Sequence, residues 1–129
     1  MTGKVPEPAK GLKRVIKAFG YSIQGLVHGI KNEAAIGQEF VLTCVAVPLV
    51  LLLELSLVFK AILIFGHLSI LIVELLNSAV EAIVDKASPE YHPLAKQAKD
   101  MGSAAVLLIF IAVGACWVFA LIEMFSRRL

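Results

Sequence analysis

Apolar positions fall along this chain in stretches of two kinds. Between residues 11 and 32 they recur at helical spacing on one side only, as Leu12, Val15, Ile16, Phe19, Ile23, Leu26, Val27 and Ile30. The other side carries Lys13, Arg14, Lys17, Tyr21, Gln24 and His28. A basic amphipathic helix of this kind lies in the membrane interface rather than across it; the plainer alternative is a helix packed on a partner protein. Three further stretches, residues 40–59, 59–84 and 102–122, are apolar almost all round. A hydrocarbon core needs about 20 residues of helix to cross it. Residues 40–53 alone are short, so the first span is expected to begin in the acidic segment 33–39. Pro48 is tolerable inside it, and Glu54 marks the far interface before a tight turn near residues 55–57. The pattern predicts an all-α membrane protein: one unit over residues 1–129, with a surface helix at about 11–32 and spans at about 34–54, 58–84 and 101–123. Residues 1–10, with two prolines, read as a loose tail, and residues 87–100 as a polar connection.

Composition supports this reading. Of 129 residues, 59% are hydrophobic and 17% charged, and mean hydropathy is +0.86, whereas soluble domains hold about 45–50% apolar and about 25% charged residues. The chain is too small and too apolar for a soluble α/β enzyme. A net charge of +2 points to no nucleic-acid partner. Cys44 and Cys116 fall in apolar blocks and read as packing thiols. No cleavable signal peptide is expected, because the first 30 residues lack an unbroken apolar core. Lys4, Lys10, Lys13, Arg14, Lys17, Lys31, Lys86, Lys96 and Lys99 lie on one side of the predicted spans, against Lys60, Arg127 and Arg128 on the other. That bias predicts a cytoplasmic N-terminus.

The second span carries the costly residues. Glu74, Asn77 and Glu81 sit where hydrocarbon is expected, and a charge at a helix centre is unfavourable by roughly 2.5–3.5 kcal/mol. At 100° per residue, Glu74, Asn77, Glu81 and Asp85 occupy about 80° of arc. Glu81 and Asp85 lie one turn apart near the cytoplasmic surface, with Glu74 about two turns deeper. Glu33, at the foot of the first span, is expected at a depth similar to Glu81. Paired carboxylates at that surface suit Mg²⁺, which takes one or two carboxylates plus substrate phosphates. A deeper, lone carboxylate suits a general base. The plain alternative, polar glue between helices, fits Asn77 and Ser78 better than two carboxylates. His67 reads as a packing or interfacial residue, and Trp117 and Tyr91 as interface anchors. There is no G-x-x-x-x-G-K-[ST], no G-x-G-x-x-G and no zinc-type Cys/His spacing. An enzyme and an ion or proton pathway both stay open on these grounds.

Several runs resemble the bacterial integral-membrane diacylglycerol kinase family. They are Arg14-Val-Ile-Lys17-Ala-Phe-Gly20-Tyr21-Ser22, Gly25-Leu26, Asn32-Glu33-Ala-Ala and Gln38-Glu39, then Val73-Glu74-Leu-Leu-Asn77-Ser78-Ala-Val-Glu81-Ala-Ile-Val-Asp85 and Ala98-Lys99-Asp100-Met-Gly102-Ser103-Ala-Ala. The likeness covers nearly the whole chain from Lys13. It implies a homotrimer in the bacterial inner membrane, with sites shared between subunits, that moves the γ-phosphate of ATP to a lipid hydroxyl with Mg²⁺. By position it implies Glu74 as general base, Asn77 beside it, Glu33 and Glu81 as metal ligands, and Lys99 and Asp100 as nucleotide contacts. Arg14, Lys17, Tyr21, Ser22, Gln38, Asp85 and His92 resemble supporting positions around the nucleotide. Gly37, Pro93 and Gln97 depart from the family pattern and bear on ATP affinity rather than reaction type. Undecaprenol is the rival lipid acceptor. A small proton or cation carrier and a passive helix-bundle scaffold are the rivals from other classes.

Overall fold

The computed structural model describes residues 10–129, and within them four helices follow one another: α1 (Gly11–Asn32), α2 (Ala34–Leu52), α3 (Leu57–Ala87) and α4 (Pro93–Ser126). Most of the expected tail, Lys4 included, lies outside the described residues. The last three helices are each long and apolar enough to cross a membrane. α3 runs between α2 and α4 and packs on both, while the backbones of α2 and α4 stay apart. At 1.5 Å per residue the 31 residues of α3 reach about 46 Å, longer than a hydrocarbon core of about 30 Å. Its last turns, together with the first turns of α4, therefore form a helical hairpin that extends past the apolar layer.

This hairpin corrects the expectation of a polar connection over 87–100. Residues 93–100 are helical, because His92 caps α4 by accepting from the Leu94 amide through Nδ1 (3.2 Å) and Pro93 occupies the first helical turn. An ion pair between Lys96 and Asp100, one turn apart, continues the helix. Only residues 88–92 remain to turn the chain.

α1 has one residue of close packing. A Cβ on Gly29 would meet Leu75 Cδ2 at 2.9 Å and Ile36 Cδ1 at 3.1 Å, so glycine lets the surface helix cross the bundle there. Further from that crossing, Leu12, Val15, Ile16 and Phe19 are exposed, which leaves an apolar face for the lipid interface. α1 and α2 are divided by a single extended residue, Glu33 (φ −108°, ψ 112°). Gly37 lies one turn on, where a Cβ would approach the Ile30 carbonyl oxygen at 2.9 Å. A basic side chain there would require that backbone to shift.

The buried residues form seams. On α2 they are Ile36, Glu39, Thr43, Ala46 and Val50; on α3 they include Leu63, His67, Ile70 and Glu74. Spacings of three and four residues keep each set on one face. At the end remote from the 88–92 turn, Val50, Leu55, Leu63, Ala120 and Met124 make an apolar cluster, with Phe59, Cys116 and Trp117 against it. Lipid is as apolar as leucine, so this cluster holds the bundle by close packing more than by escape from solvent. Cys44, by contrast, is exposed on the outside of the protomer rather than buried, since it follows Thr43 off the seam. Lys60 Nζ donates to the Leu51 carbonyl (2.8 Å) and so satisfies the end of α2, and Arg128 pairs with Glu54 (2.8 Å) across the bundle end.

Candidate functional site

The long α3 sets polar groups at three levels. Nearest the 88–92 turn, Asp85, Tyr91, His92, Lys96, Lys99 and Asp100 line a polar cavity of about 480 Å³ between the ends of α3 and α4. Lys99 Nζ lies 2.9 Å from Asp85 Oδ1. The hydrogen bond to Asp85, and then its charge, hold the Lys99 ammonium above its ordinary range. Lys99 thus stays cationic through neutral and mildly alkaline pH. The linked stability is present below the ordinary lysine value, about 10.4, and is lost only as pH rises through the raised one. Four of the residues expected around a nucleotide (Asp85, His92, Lys99 and Asp100) are gathered here. His92 also spends Nδ1 on the α4 cap.

One turn below, Asn77 Nδ2 donates to Glu81 Oε1 at 3.1 Å. Asn77 Oδ1 is buried and has no hydrogen-bond partner. Gly102 of α4 lies directly against this amide, where a Cβ would collide with Asn77 Oδ1. A buried amide oxygen left open costs about 1–3 kcal/mol unless something occupies its lone pairs.

Two turns below Glu81 sits Glu74, 6% exposed. The hydrogen bonds around it run from Asn77 to Glu81 and from His67 to Glu39, and among the described residues Glu74 receives none. Glu39 and Glu81 are the like charges that act on it.

The remaining expected site residues face elsewhere. Glu33 lines an apolar cavity of about 470 Å³ between α1, α2 and α3, with Ser22, Leu75, Ser78, Ala79 and Ala82. Ser78 and Ala82 bracket Glu81 in sequence, which sets Glu33 at a depth close to that of Glu81. Asn77 and Glu81, however, turn towards α4, and Glu33 approaches α3 from the α1 side. Ser22 donates to its own helix at Ala18 (3.0 Å). Arg14, Lys17 and Tyr21 are exposed on α1, and Gln38 is exposed on α2. Among the described residues, no three His, Cys, Asp or Glu side chains gather into a metal cradle.

A buried polar chain was not expected. Thr43 Oγ1 donates to Glu39 Oε1 (3.4 Å), His67 Nδ1 lies 3.4 Å from the same oxygen, and Trp117 Nε1 donates to His67 Nε2 (3.1 Å). His67 and Trp117 are thus engaged with each other inside the bundle, and Trp117 is no interface anchor. Its position on the α4 seam, four residues after Val113 and three before Ala120, is the physical reason. The same spacing argument places Glu39 and Thr43 in register with Ile36 and Ala46, and could have identified them from the sequence.

The chain is similar to known proteins along most of its length. Residues 20–121 match the family model described as prokaryotic diacylglycerol kinase. A protein named diacylglycerol kinase from Pseudomonas aeruginosa is 46% identical over 115 residues, covering 87% of this chain and 94% of its own length. Its namesake in Escherichia coli K12 is 46% identical over 107 residues, covering 83% of this chain and 88% of itself. One from Helicobacter pylori J99 is 39% identical over 114 residues, covering 88% and 89%. With four helices, three of them long enough to span a membrane, and a family match across most of its length, the chain belongs to the prokaryotic diacylglycerol kinase family.

Proposed function

We propose that this chain transfers the γ-phosphate of ATP to the hydroxyl of diacylglycerol to give phosphatidic acid, with Glu74 as the general base. The observation that supports this best is the ladder on α3. A buried carboxylate without a partner lies two turns below the Asn77–Glu81 pair, and a polar cavity holding Lys99 lies above both. Phosphoryl transfer asks mainly for positioning and charge neutralisation. Lys99, released from Asp85, grips the phosphates. Asp100, Asp85 and His92 wall the nucleotide. Glu74 takes the proton from the lipid hydroxyl. The hydroxyl oxygen bonds to the γ-phosphorus, and the bond from that phosphorus to the bridging oxygen breaks, leaving ADP.

Glu33 and Glu81 offer the hard oxygen donors that Mg²⁺ prefers, and the open Asn77 Oδ1 adds a third oxygen beside Glu81. These residues fit the ion, which when bound supplies neutralisation of phosphate charge. Asn77 orients Glu81 through its Nδ2 and lies about one turn above the base. Because Glu33, Arg14, Lys17, Tyr21, Ser22 and Gln38 lie on other faces of the protomer, we assign them to a site completed by neighbouring subunits of a homotrimer. α4 suits that assembly: Ser103, Ala104, Ala105 and Gly114 are small and exposed, as helix interfaces in membranes require. The protein sits in the bacterial inner membrane with its N-terminus and the 88–92 turn on the cytoplasmic side, where ATP is found.

The acceptor is tested by comparing diacylglycerol with undecaprenol in mixed micelles at equal mole fraction. Diacylglycerol is expected to be phosphorylated the faster, and a clear preference for undecaprenol overturns the assignment. Lys99→Met is expected to raise the KM for ATP about tenfold or more, since a hydrogen bond to a charged group contributes about 1.5–3 kcal/mol. An unchanged KM removes Lys99 from the nucleotide site.

A further inference from the structure

His67 lies on the buried seam of α3, seven residues before Glu74, and 5% of it is exposed. An indole N–H can only donate, so the bond from Trp117 Nε1 makes His67 Nε2 the bare nitrogen. The ring's hydrogen is then on Nδ1, where it faces Glu39 Oε1 at 3.4 Å. Thr43 Oγ1 converges on the same oxygen. Glu39, 4% exposed, is in turn one of the two carboxylates whose charge reaches Glu74; Glu81 is the other, and α4 carries only the Cys116 thiol beside Trp117 at the level of His67. The result is a chain of contacts from α4 through α3 to α2 that ends on Glu39, one turn from Ile36, which meets Leu75, the residue after Glu74, at the Gly29 crossing.

We propose that His67 is a positioning residue for the kinase reaction: locked in one tautomer by Trp117, its Nδ1–H holds Glu39 beside Glu74. The proposal rests on the assignment of Glu74 as base. A buried carboxylate keeps its charge and its place only while donors hold it. Without His67, Thr43 is the one remaining donor to Glu39 among the described residues, and the Glu39 carboxylate is free to rotate. Substrate sites lie on other levels, so the loss falls on turnover rather than on binding.

Three replacements separate positioning from packing. His67→Asn keeps an amide N–H close to the Nδ1 position, His67→Gln moves its amide past that position, and His67→Leu has no donor. Turnover and KM for ATP and diacylglycerol are measured for each, with the emission of Trp117, the one tryptophan of the chain, reporting whether the indole keeps an acceptor. His67→Gln and His67→Leu are expected to lose about tenfold in kcat with both KM values unchanged, and His67→Asn to recover at least half of the parent rate. If His67→Leu does not fold, the contrast between Asn and Gln decides. Equal activity in every variant, or an equal loss in Asn and Gln, overturns the proposal. Glu74→Gln is assayed alongside. If it stays active, the base assignment fails whatever His67 does; if it is inactive while Asn and Gln behave alike, only the role of His67 fails.

Discussion

Glu74→Gln is expected to lower kcat by about 10²–10⁴-fold, the usual contribution of a positioned general base, while the protein folds as well as the parent or better. The two halves of this prediction have one cause. Glu74 is buried and, among the described residues, accepts no hydrogen bond. Its charge therefore costs the bundle free energy and is not repaid by any contact within the protomer. The amide has nearly the same shape and no charge, so a thermal melt in detergent should move upward or not at all. A residue retained for packing would behave in the opposite way, with stability falling and activity following it. ATP affinity should be little changed, because Asp85, where α3 lines the cavity that holds Lys99, lies about three turns from Glu74. The same variant separates the kinase from a proton or cation carrier that uses the carboxylates as a relay. A carrier predicts transport into liposomes without ATP. Abolished lipid phosphorylation in an intact assembly leaves that reading without support, whereas full kinase activity in Glu74→Gln would sink the general-base assignment.

The helices and the order of the acidic residues along α3 were legible in the sequence because both depend on periodicity and length. The apolar blocks and the one-sided pattern before Asn32 predict elements whose bounds match α1 and α2 closely. The arc shared by Glu74, Asn77, Glu81 and Asp85 follows from the helical repeat alone. The α3–α4 hairpin was not legible as helix. Its charged composition reads as connection, and the cap by His92 and the Lys96–Asp100 pair become decisive only once α4 packs on α3. The polar seam was missed for a different reason. Glu39 lies at the end of an apolar block and His67 within another, and a lone polar residue on an apolar face is ordinarily a packed or interfacial one. The bond from Trp117 to His67 joins residues 50 positions apart, a pairing that no local pattern contains. The faces of the site residues were also hidden. Depth can be counted along a helix, but the side from which Glu33 approaches depends on the crossing at Gly29, where a Cβ would crowd the side-chain ends of Leu75 and Ile36.

That crossing has a counterpart on the other side of α3, and it carries the second large effect. Gly102→Ala is expected to disable the site without altering a single charge. The new methyl group would enter the space of Asn77 Oδ1 and come within 3.3 Å of its Cγ. Asn77 cannot simply yield, because its Nδ2 is held on Glu81 Oε1. Either the amide rotates and Glu81 loses its orienting donor, or α4 moves outward and takes Lys99 with it, three residues away on the same helix. A displacement of about 1 Å at a phosphoryl-transfer site is enough for a loss near 10²-fold in kcat/KM, and overpacking a tight contact costs about 1–3 kcal/mol of stability. Asn77→Ala in the same chain removes the atoms that the methyl group strikes. The double variant is expected to regain the parent's melting midpoint and to keep the low activity of Asn77→Ala alone. Recovery of stability without activity places the clash at Asn77 and shows that its amide contributes chemistry beyond space-filling. A Gly102→Ala protein with parental activity and midpoint would mean that α3 and α4 can part at this level without consequence for Glu81, and the close approach would then have no part in the site.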